Sequence, residues 1–168
     1  MRPRIILLTA PLLLAASACT SSSDDADRAP QRTVSEKQAI TVLDHVVSRA
    51  PHLSAAQFCK ELAYQEKACA YVRKQADDFC LKAGPKPHVL RSKAVRATKE
   101  SDGGRVLEVE GKTAGGQRYV SEFFVTAPDG KPRASTAVYW SGAGLADSPL
   151  GEDNKVLPQS ECGDDAPG

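Results

Sequence analysis

A run of four strand-like segments is the feature that most constrains how this chain can fold. Between His88 and Ser141, apolar stretches alternate with three turns that contain glycine, and the stretches cover roughly residues 88–100, 104–113, 117–127 and 133–141. Strands joined by such short turns pair in antiparallel order with their neighbours along the chain. The segment therefore predicts a four-stranded antiparallel meander.

The third strand indicates which face of this sheet lies inside. Its odd-numbered side chains, from Tyr119 to Val125, carry no charge, whereas the other face contains Glu122. Because side chains alternate between the two faces of a strand, we expect the uncharged face to pack against the helices. The residues predicted to face inward, where they would line a cavity, are Leu107, Val109, Tyr119, Phe123, Val138 and Trp140.

The turn lengths predict the register of the strands. A four-residue loop at 128–131 places Val125 opposite Ala134 and carries on to pair Tyr119 with Trp140, and a three-residue loop at 114–116 places Leu107 opposite Phe123. The same counting turns two residues of the first strand inward, Val95 and Ala97. The apolar residues that remain on the outer face are Val120, Phe124 and Tyr139.

Two helical regions precede the strands. Thr33 and Glu36 form a capping-box pattern that predicts the start of a helix ending near Ala50, before a proline. A second such pattern, Ser54 with Gln57, opens residues 54–82, in which we expect a break near 63–67. Helices followed by strands predict an α+β domain over residues 33–141, with N-terminal helices packed on one face of a curved four-stranded antiparallel meander.

The N-terminus is typical of an export signal. Two arginines precede an apolar run at 5–14, and four small residues then lead to Cys19. Ala16-Ser17-Ala18-Cys19 resembles the lipobox of bacterial lipoproteins. The resemblance implies that residues 1–18 are removed, that Cys19 is lipidated, and that the protein is held at the extracytoplasmic face of the cell membrane. Residues 19–32 are polar and predict a flexible tether.

The four cysteines that follow Cys19 predict two disulfides, because an exported chain with an even number of cysteines available for pairing usually pairs them. Cys69 and Cys80 would lie roughly 16 Å apart along an intact helix, too far to bond each other. Two connectivities remain open: Cys59–Cys80 with Cys69–Cys162, or Cys59–Cys69 with Cys80–Cys162. Either one pins the tail, residues 142–168, which its Gly, Pro and Asp content predicts to be irregular.

Composition and motifs exclude several functions. Lys and Arg total 22 against 21 Asp and Glu, so charge gives no reason to expect a nucleic-acid partner. The histidines and cysteines lack metal-ligand spacing, and the sequence has no phosphate-binding loop or dinucleotide fingerprint. We therefore predict no metal and no cofactor.

The order of helices, strands and helix cysteines resembles that of the NTF2-like superfamily (the cystatin-like cone fold), in particular its small bacterial lipoproteins. The resemblance covers about residues 33–141 and implies a sheet wrapped around helices, with a hydrophobic cone open at one end. It also implies that isomerases, dehydratases and noncatalytic binding or assembly domains all occur among such proteins.

Three interpretations follow. The first is a noncatalytic, membrane-anchored lipoprotein that presents a binding or assembly surface to a protein partner or a small apolar ligand. The second is a cone-fold isomerase or dehydratase acting on a small apolar substrate, with Asp44 or Asp78 as the base and Tyr119 as its partner. The third is a structural envelope protein that forms a homodimer through the outer face of its sheet.

Overall fold

A computed structural model describes residues 33–98, 102–151 and 155–162. The predicted leader, Cys19 and the tether up to residue 32 lie outside the described residues. Three helices precede four strands, with a short 3₁₀ turn at Ala50–His52 after the first helix. The elements are α1 (Glu36–Arg49), α2 (Ala55–Leu62), α3 (Glu66–Asp78), β1 (His88–Val95), β2 (Gly104–Lys112), β3 (Arg118–Thr126) and β4 (Arg133–Ala134).

The predicted fold class is confirmed. The four strands form one antiparallel sheet in the order β1-β2-β3-β4, and the helices precede it in the chain. One cluster of buried residues joins the apolar stripe of α1 to the inner face of β2 and β3. On α1 the stripe consists of Ala39, Leu43 and Val46.

Helix α1 begins two residues later than predicted. Its capping box is formed by Ser35 and Gln38, not by Thr33 and Glu36. The same sequence pattern occurs twice here, and tertiary packing selects the second copy. Val34 is buried in the core, and its carbonyl oxygen accepts a hydrogen bond of 2.9 Å from Arg105 Nε, so the chain stays extended up to Ser35.

The expected break between α2 and α3 is confirmed, and the sheet explains it. The linker Ala63-Tyr64-Gln65 runs beside β4, where Tyr64 N donates to the carbonyl oxygen of Ala134 at 2.7 Å and Gln65 N donates to that of Ser135 at 2.9 Å. Ala63 and Ala134 form a parallel bridge. The linker therefore covers one edge of the sheet, which a continuous helix could not do because its backbone groups would bond internally.

The register between β2 and β3 agrees with the prediction. Leu107 pairs with Phe123, Val109 pairs with Ser121, and Val125 pairs with Ala134 of β4. Paired residues point to the same face, so the uncharged inner face was identified correctly.

The register of β1 was predicted wrongly. Ser92, not Ala97, lies opposite Leu107, and Val95 pairs with Gly104 and so points to the outer face. A bulge between Val89 and Arg91 and a longer connection to β2 shift the pairing. Only Val89 of this strand packs against the core, opposite Val109, and this contact fixes the register.

Strand β4 is much shorter than the predicted 133–141. Ala137 has a φ of 62°, which takes the backbone out of the extended region. The four residues from Ala137 to Trp140 are all buried, at 0–3% exposure. Consecutive burial is incompatible with a strand that has one solvated face, and Tyr139, which was predicted to lie outside, is inside.

Residues 142–151 and 155–162, which we call the strap, complete the edge of β3 that β4 leaves open. Glu122 N donates to the carbonyl oxygen of Ala143 at 2.9 Å, and Val120 and Val156 exchange two backbone hydrogen bonds of 3.1 Å. The predicted irregular tail is thus an ordered part of the sheet edge over these residues, although Leu157 remains exposed.

Candidate functional site

The six residues predicted to line a cavity lie together in the core. Each belongs to the single buried cluster, and their exposure ranges from 0 to 3%. Their side chains therefore pack against other side chains, and a cone open between them would require these side chains to move. The lining of a cavity stays a prediction. The residues are Leu107, Val109, Tyr119, Phe123, Val138 and Trp140.

Trp140 links the helices to the interior of the sheet. Its ring meets that of Phe58 edge-on, with centroids 5.5 Å apart, and that of Tyr139 at 4.9 Å. The guanidinium of Arg73 lies 5.3 Å from both the Phe58 and the Trp140 ring centroids. Edge-on pairs and a cation over a ring are favourable geometries for aromatic side chains. These contacts hold the segment after β4 against α2 and α3.

Two buried tyrosines occupy different hydrogen-bonding environments. Tyr139 Oη donates to the carbonyl oxygen of Gly84 at 3.1 Å. Among the described residues, Tyr119 Oη has no hydrogen-bond partner, nor has Nε1 of Trp140. Burial raises the pKa of Tyr139 to about 12, and burial, followed by the neighbouring Tyr139, raises the pKa of Tyr119 well above its ordinary value.

The absence of a side chain at residue 111 makes room for Tyr119. Gly111 is its partner across the β2–β3 ladder, and a Cβ placed on Gly111 would lie 2.5 Å from Tyr119 Oη. The hydroxyl therefore rests against the backbone of β2.

The carboxylates required by the enzyme interpretation do not meet Tyr119. Asp44 forms an ion pair with Lys86, with a distance of 2.6 Å from Oδ1 to Nζ, and Asp78 forms one with Lys74 at 2.6 Å. Both aspartate side chains are about half exposed, at 46% and 56%, while Tyr119 is 0% exposed. Neither aspartate is hydrogen-bonded to Tyr119 Oη, which has no partner among the described residues.

The cysteines form two disulfides, Cys59–Cys69 and Cys80–Cys162. This is one of the two connectivities that the sequence left open. The first bond joins α2 to α3 across the break between them, and the second joins the chain just after α3 to the end of the strap.

The outer face of the sheet contains a buried carboxylate pair that the sequence analysis missed. Glu108 and Glu122 lie directly opposite each other on β2 and β3 and are 5% and 9% exposed. Like charges in this position repel, and each is compensated by a cation. Arg91 forms an ion pair with Glu108 through two hydrogen bonds, and Lys155 Nζ lies 3.5 Å from Glu122 Oε1. The pKa of Arg91 is raised, chiefly by the hydrogen bond to Glu108.

Glu122 also fixes the strap on this face. Its carboxylate accepts a hydrogen bond of 2.7 Å from Leu145 N and another from Ser148 Oγ. In the sequence, a glutamate in a strand indicated a solvent-exposed face. One feature pointed the other way: the chain continues for 27 residues after the predicted fourth strand, which is long enough to cover that face. The two glutamates and their partners form a structural network that holds the strap in place.

The predicted outer apolar surface is mostly covered. Val120 is 3% exposed beneath the strap and Tyr139 is in the core, so Phe124 alone of the three is partly exposed on that face. Most of the surface on which the homodimer interpretation was based is therefore covered. Whether the chain forms a homodimer stays a prediction.

Surface grooves remain as places for a ligand or partner. One, of about 320 Å³, lies at the end of the sheet and is lined by Pro85, Lys86, His88, Glu110, Gly111, Lys112 and Arg118. Another, of about 290 Å³, lies between the end of α3 and the strap and includes the exposed side chains of Phe79 and Leu157. Of the charged residues that line the first groove, three are Lys or Arg and one is Glu, whereas no charged residue lines the second.

Within residues 33–98, 102–151 and 155–162, no group of three or more His, Cys, Asp or Glu side chains is placed to hold a metal ion. No helix in the same part of the chain is both long and apolar enough to cross a membrane. Comparison with protein-family models, curated proteins and solved structures finds no match to the chain. Function must therefore be argued from the residues themselves.

Proposed function

We propose that this chain is an exported lipoprotein that is anchored in the cell membrane through Cys19 and acts as a noncatalytic binding or assembly module. The tether at 19–32 would hold the α+β domain away from the lipid surface. The ligand class that we propose is a protein partner or a small apolar molecule. The topological likeness to NTF2-like lipoproteins belongs to the same proposal.

The disulfides are the observation that carries the proposal. Four of the five cysteines of the chain are paired within the domain, and the fifth is Cys19 in the lipobox-like segment. Structural disulfides persist in oxidising compartments and are rare in the cytosol. A leader for export and two such bonds in one short chain support the same location.

The positions of the acidic residues favour binding over the cone-fold enzyme. Such an enzyme needs a carboxylate and a proton donor on the same substrate. Asp44 and Asp78 are held in exposed ion pairs, and Tyr119 is enclosed. The apolar groove beside Phe79 and Leu157 offers a surface that a partner could bury without any chemical step.

Labelling with a fatty-acid analogue in a bacterial host tests the anchor. We expect the wild-type chain to be labelled and to sediment with membranes, and Cys19→Ser to lose both properties. Ser22→Ala, three residues further along the tether, is the matched control and should behave as wild type. A Cys19→Ser protein that is labelled to the wild-type extent would refute the proposal.

A further inference from the structure

The two disulfides differ in how far a reductant can reach them. Cys59 and Cys69 are 2% and 0% exposed, whereas Cys80 is exposed and Cys162 is half-buried. Thiol–disulfide exchange requires a thiolate to approach one sulfur directly, so access limits its rate. By residue exposure, the Cys80–Cys162 bond is the more accessible of the two in the folded protein, although Cys59 also borders a groove of about 330 Å³.

An open cavity leads to this bond. It has a volume of about 480 Å³, and Cys80 forms part of its wall together with Asp77, Lys82, Ala114, Gly115 and Glu161. A small dithiol, or the end of a reducing protein loop, can approach the sulfur of Cys80 through this space.

The backbone at Cys80 is also held in an unfavourable conformation. Its φ is 56°, in the left-handed region that residues with a Cβ rarely adopt. Cys80 N donates to the carbonyl oxygen of Asp77 at 2.9 Å, and Leu81 N donates to that of Ala76 at 2.9 Å. These bonds and the disulfide together keep the turn in place, and opening the disulfide removes one of its constraints.

The end of the strap depends on this bond more than the rest of the strap does. Beyond Pro158, three described hydrogen bonds join it to the body of the domain. Glu161 N and Ser160 Oγ donate to the carbonyl oxygen of Phe79, and the Glu161 carboxylate accepts from Thr113 Oγ1. Further back, the strap is held by Val156 on Val120 and by the carboxylate of Glu122. The disulfide therefore fixes a segment that has few other contacts.

We propose that Cys80–Cys162 is a site of reversible thiol–disulfide exchange with a dithiol reductant, and that its opening releases residues 159–162 from the turn after α3 while Cys59–Cys69 stays intact. The site does not depend on the lipid anchor, so either proposal can fail without the other.

The chemistry needs two electrons, which the dithiol supplies. One of its thiolates attacks Sγ of Cys80, forming a mixed disulfide, and the Cys162 sulfur leaves as a thiolate and takes up a proton. The second thiol of the reductant then displaces Cys80, which also ends as a thiol. The dithiol becomes a disulfide, the cysteine pair is reduced, and the reverse steps restore the bond.

Graded reduction of the oxidised full-length chain tests the order of opening. The protein is treated with dithiothreitol under native conditions and quenched with iodoacetamide at intervals, and the remaining disulfides are then reduced and labelled with N-ethylmaleimide. We expect mass spectrometry of the peptides to show Cys80 and Cys162 alkylated at least roughly tenfold faster than Cys59 and Cys69, because access to sulfur sets the rate. Equal rates, or faster opening of Cys59–Cys69, would overturn the proposal.

Hydrogen exchange tests the release. After selective reduction, the amide of Glu161 should exchange roughly tenfold faster or more, since its hydrogen bond to Phe79 loses the covalent tie. The amides of Phe58 and Cys69 should not change. The double variant Cys80→Ser/Cys162→Ser should show the same pattern without reductant. Protection of Glu161 at the oxidised wild-type level, in both the reduced protein and this variant, would contradict the proposal.

Discussion

Replacing Glu122 by glutamine removes one carboxylate oxygen from beneath the strap while keeping the shape of the side chain. The Glu122 side chain is 1% exposed. It accepts hydrogen bonds from Leu145 N and Ser148 Oγ, and Lys155 Nζ lies 3.5 Å from it. A glutamine offers one acceptor oxygen, so if that oxygen keeps the bond from Leu145 N, its NH₂ group faces Ser148 Oγ and Lys155 Nζ. The Ser148 hydroxyl can turn and accept a hydrogen bond from the NH₂ group, but the Lys155 ammonium has only donors.

The expected cost follows from these partners. A hydrogen bond to a charged group contributes about 1.5–3 kcal/mol and a neutral one about 0.5–1.5 kcal/mol, so the loss of charge weakens both bonds to the strap. The loss of the charge that faces Lys155 adds to this, because one partner of a buried pair is then uncompensated. Relief of repulsion with Glu108, which lies directly opposite, offsets part of it, by about 0.2–1 kcal/mol. We expect Glu122→Gln to lower the free energy of unfolding by about 2–3 kcal/mol, mostly from the weakened hydrogen bonds and the uncompensated Lys155.

Urea denaturation of the oxidised protein measures this difference, provided the slope with urea is the same in both proteins. The matched control is Glu110→Gln, a substitution in β2 on the same face of the sheet as Glu122. Glu110 has one ion pair, to Arg118, and its side chain is 34% exposed, so the change should cost less than about 1 kcal/mol. Equal losses in the two variants, or a Glu122→Gln protein within about 0.5 kcal/mol of wild type, would refute the argument that the strap is held through this carboxylate.

Three further predictions concern the buried tyrosines, and the first two are read by urea denaturation. Tyr119→Phe removes a hydroxyl without a described partner and should leave stability unchanged or raise it by up to about 1 kcal/mol. Tyr139→Phe should lower stability by about 1 kcal/mol, because the carbonyl oxygen of Gly84 loses its donor. A larger loss in Tyr119→Phe than in Tyr139→Phe would contradict this account. Gly111→Ala places a methyl group 2.5 Å from Tyr119 Oη and should lower the free energy of unfolding by about 1–3 kcal/mol. The loss should be smaller in the Tyr119→Phe background. Equal losses in both backgrounds would mean that the hydroxyl is not the obstacle. Because burial raises the pKa of Tyr139 from 10.0 to about 12, the folded state keeps a proton that the unfolded chain loses. The contribution of this group to stability should therefore be constant well below pH 10 and be lost as the pH rises to about 12; thermal unfolding that does not change between about pH 9 and about pH 12 would contradict it.

The middle of the sheet could be predicted from the sequence because its pattern is local. Leu107 and Phe123 lie in strands with clear alternation, and a short turn between those strands leaves few registers to choose from. The break between α2 and α3 was also predictable, since cysteine geometry demanded it.

The predicted length of the fourth strand was wrong for a reason that turn lengths do not reveal. Residues 137–140, Ala-Val-Tyr-Trp, contain no polar residue, and such a run is typical of a fully buried segment as much as of a strand. The left-handed Ala137 lets all four side chains enter the core. Trp140 and Phe123 share that core as predicted, but through a different backbone path.

The prediction that the outer face is exposed to solvent was wrong because a charged residue was taken to indicate exposure. Glu122 is buried only because Leu145, Ser148 and Lys155 supply donors from the strap, 23 to 33 residues further along the chain. A sequence pattern within one strand contains no information about such distant partners. The buried carboxylate pair therefore required the structure.

The central claim is that Cys19 anchors an exported domain, and the mass of its N-terminal peptide tests it most directly. The protein is extracted from bacterial membranes with detergent, cleaved with a protease, and its N-terminal fragment is analysed by mass spectrometry. The account predicts a fragment that begins at Cys19 and carries a diacylglyceryl group on the sulfur. A fragment that still contains residues 1–18, or that begins at Cys19 with an unmodified thiol, would contradict it.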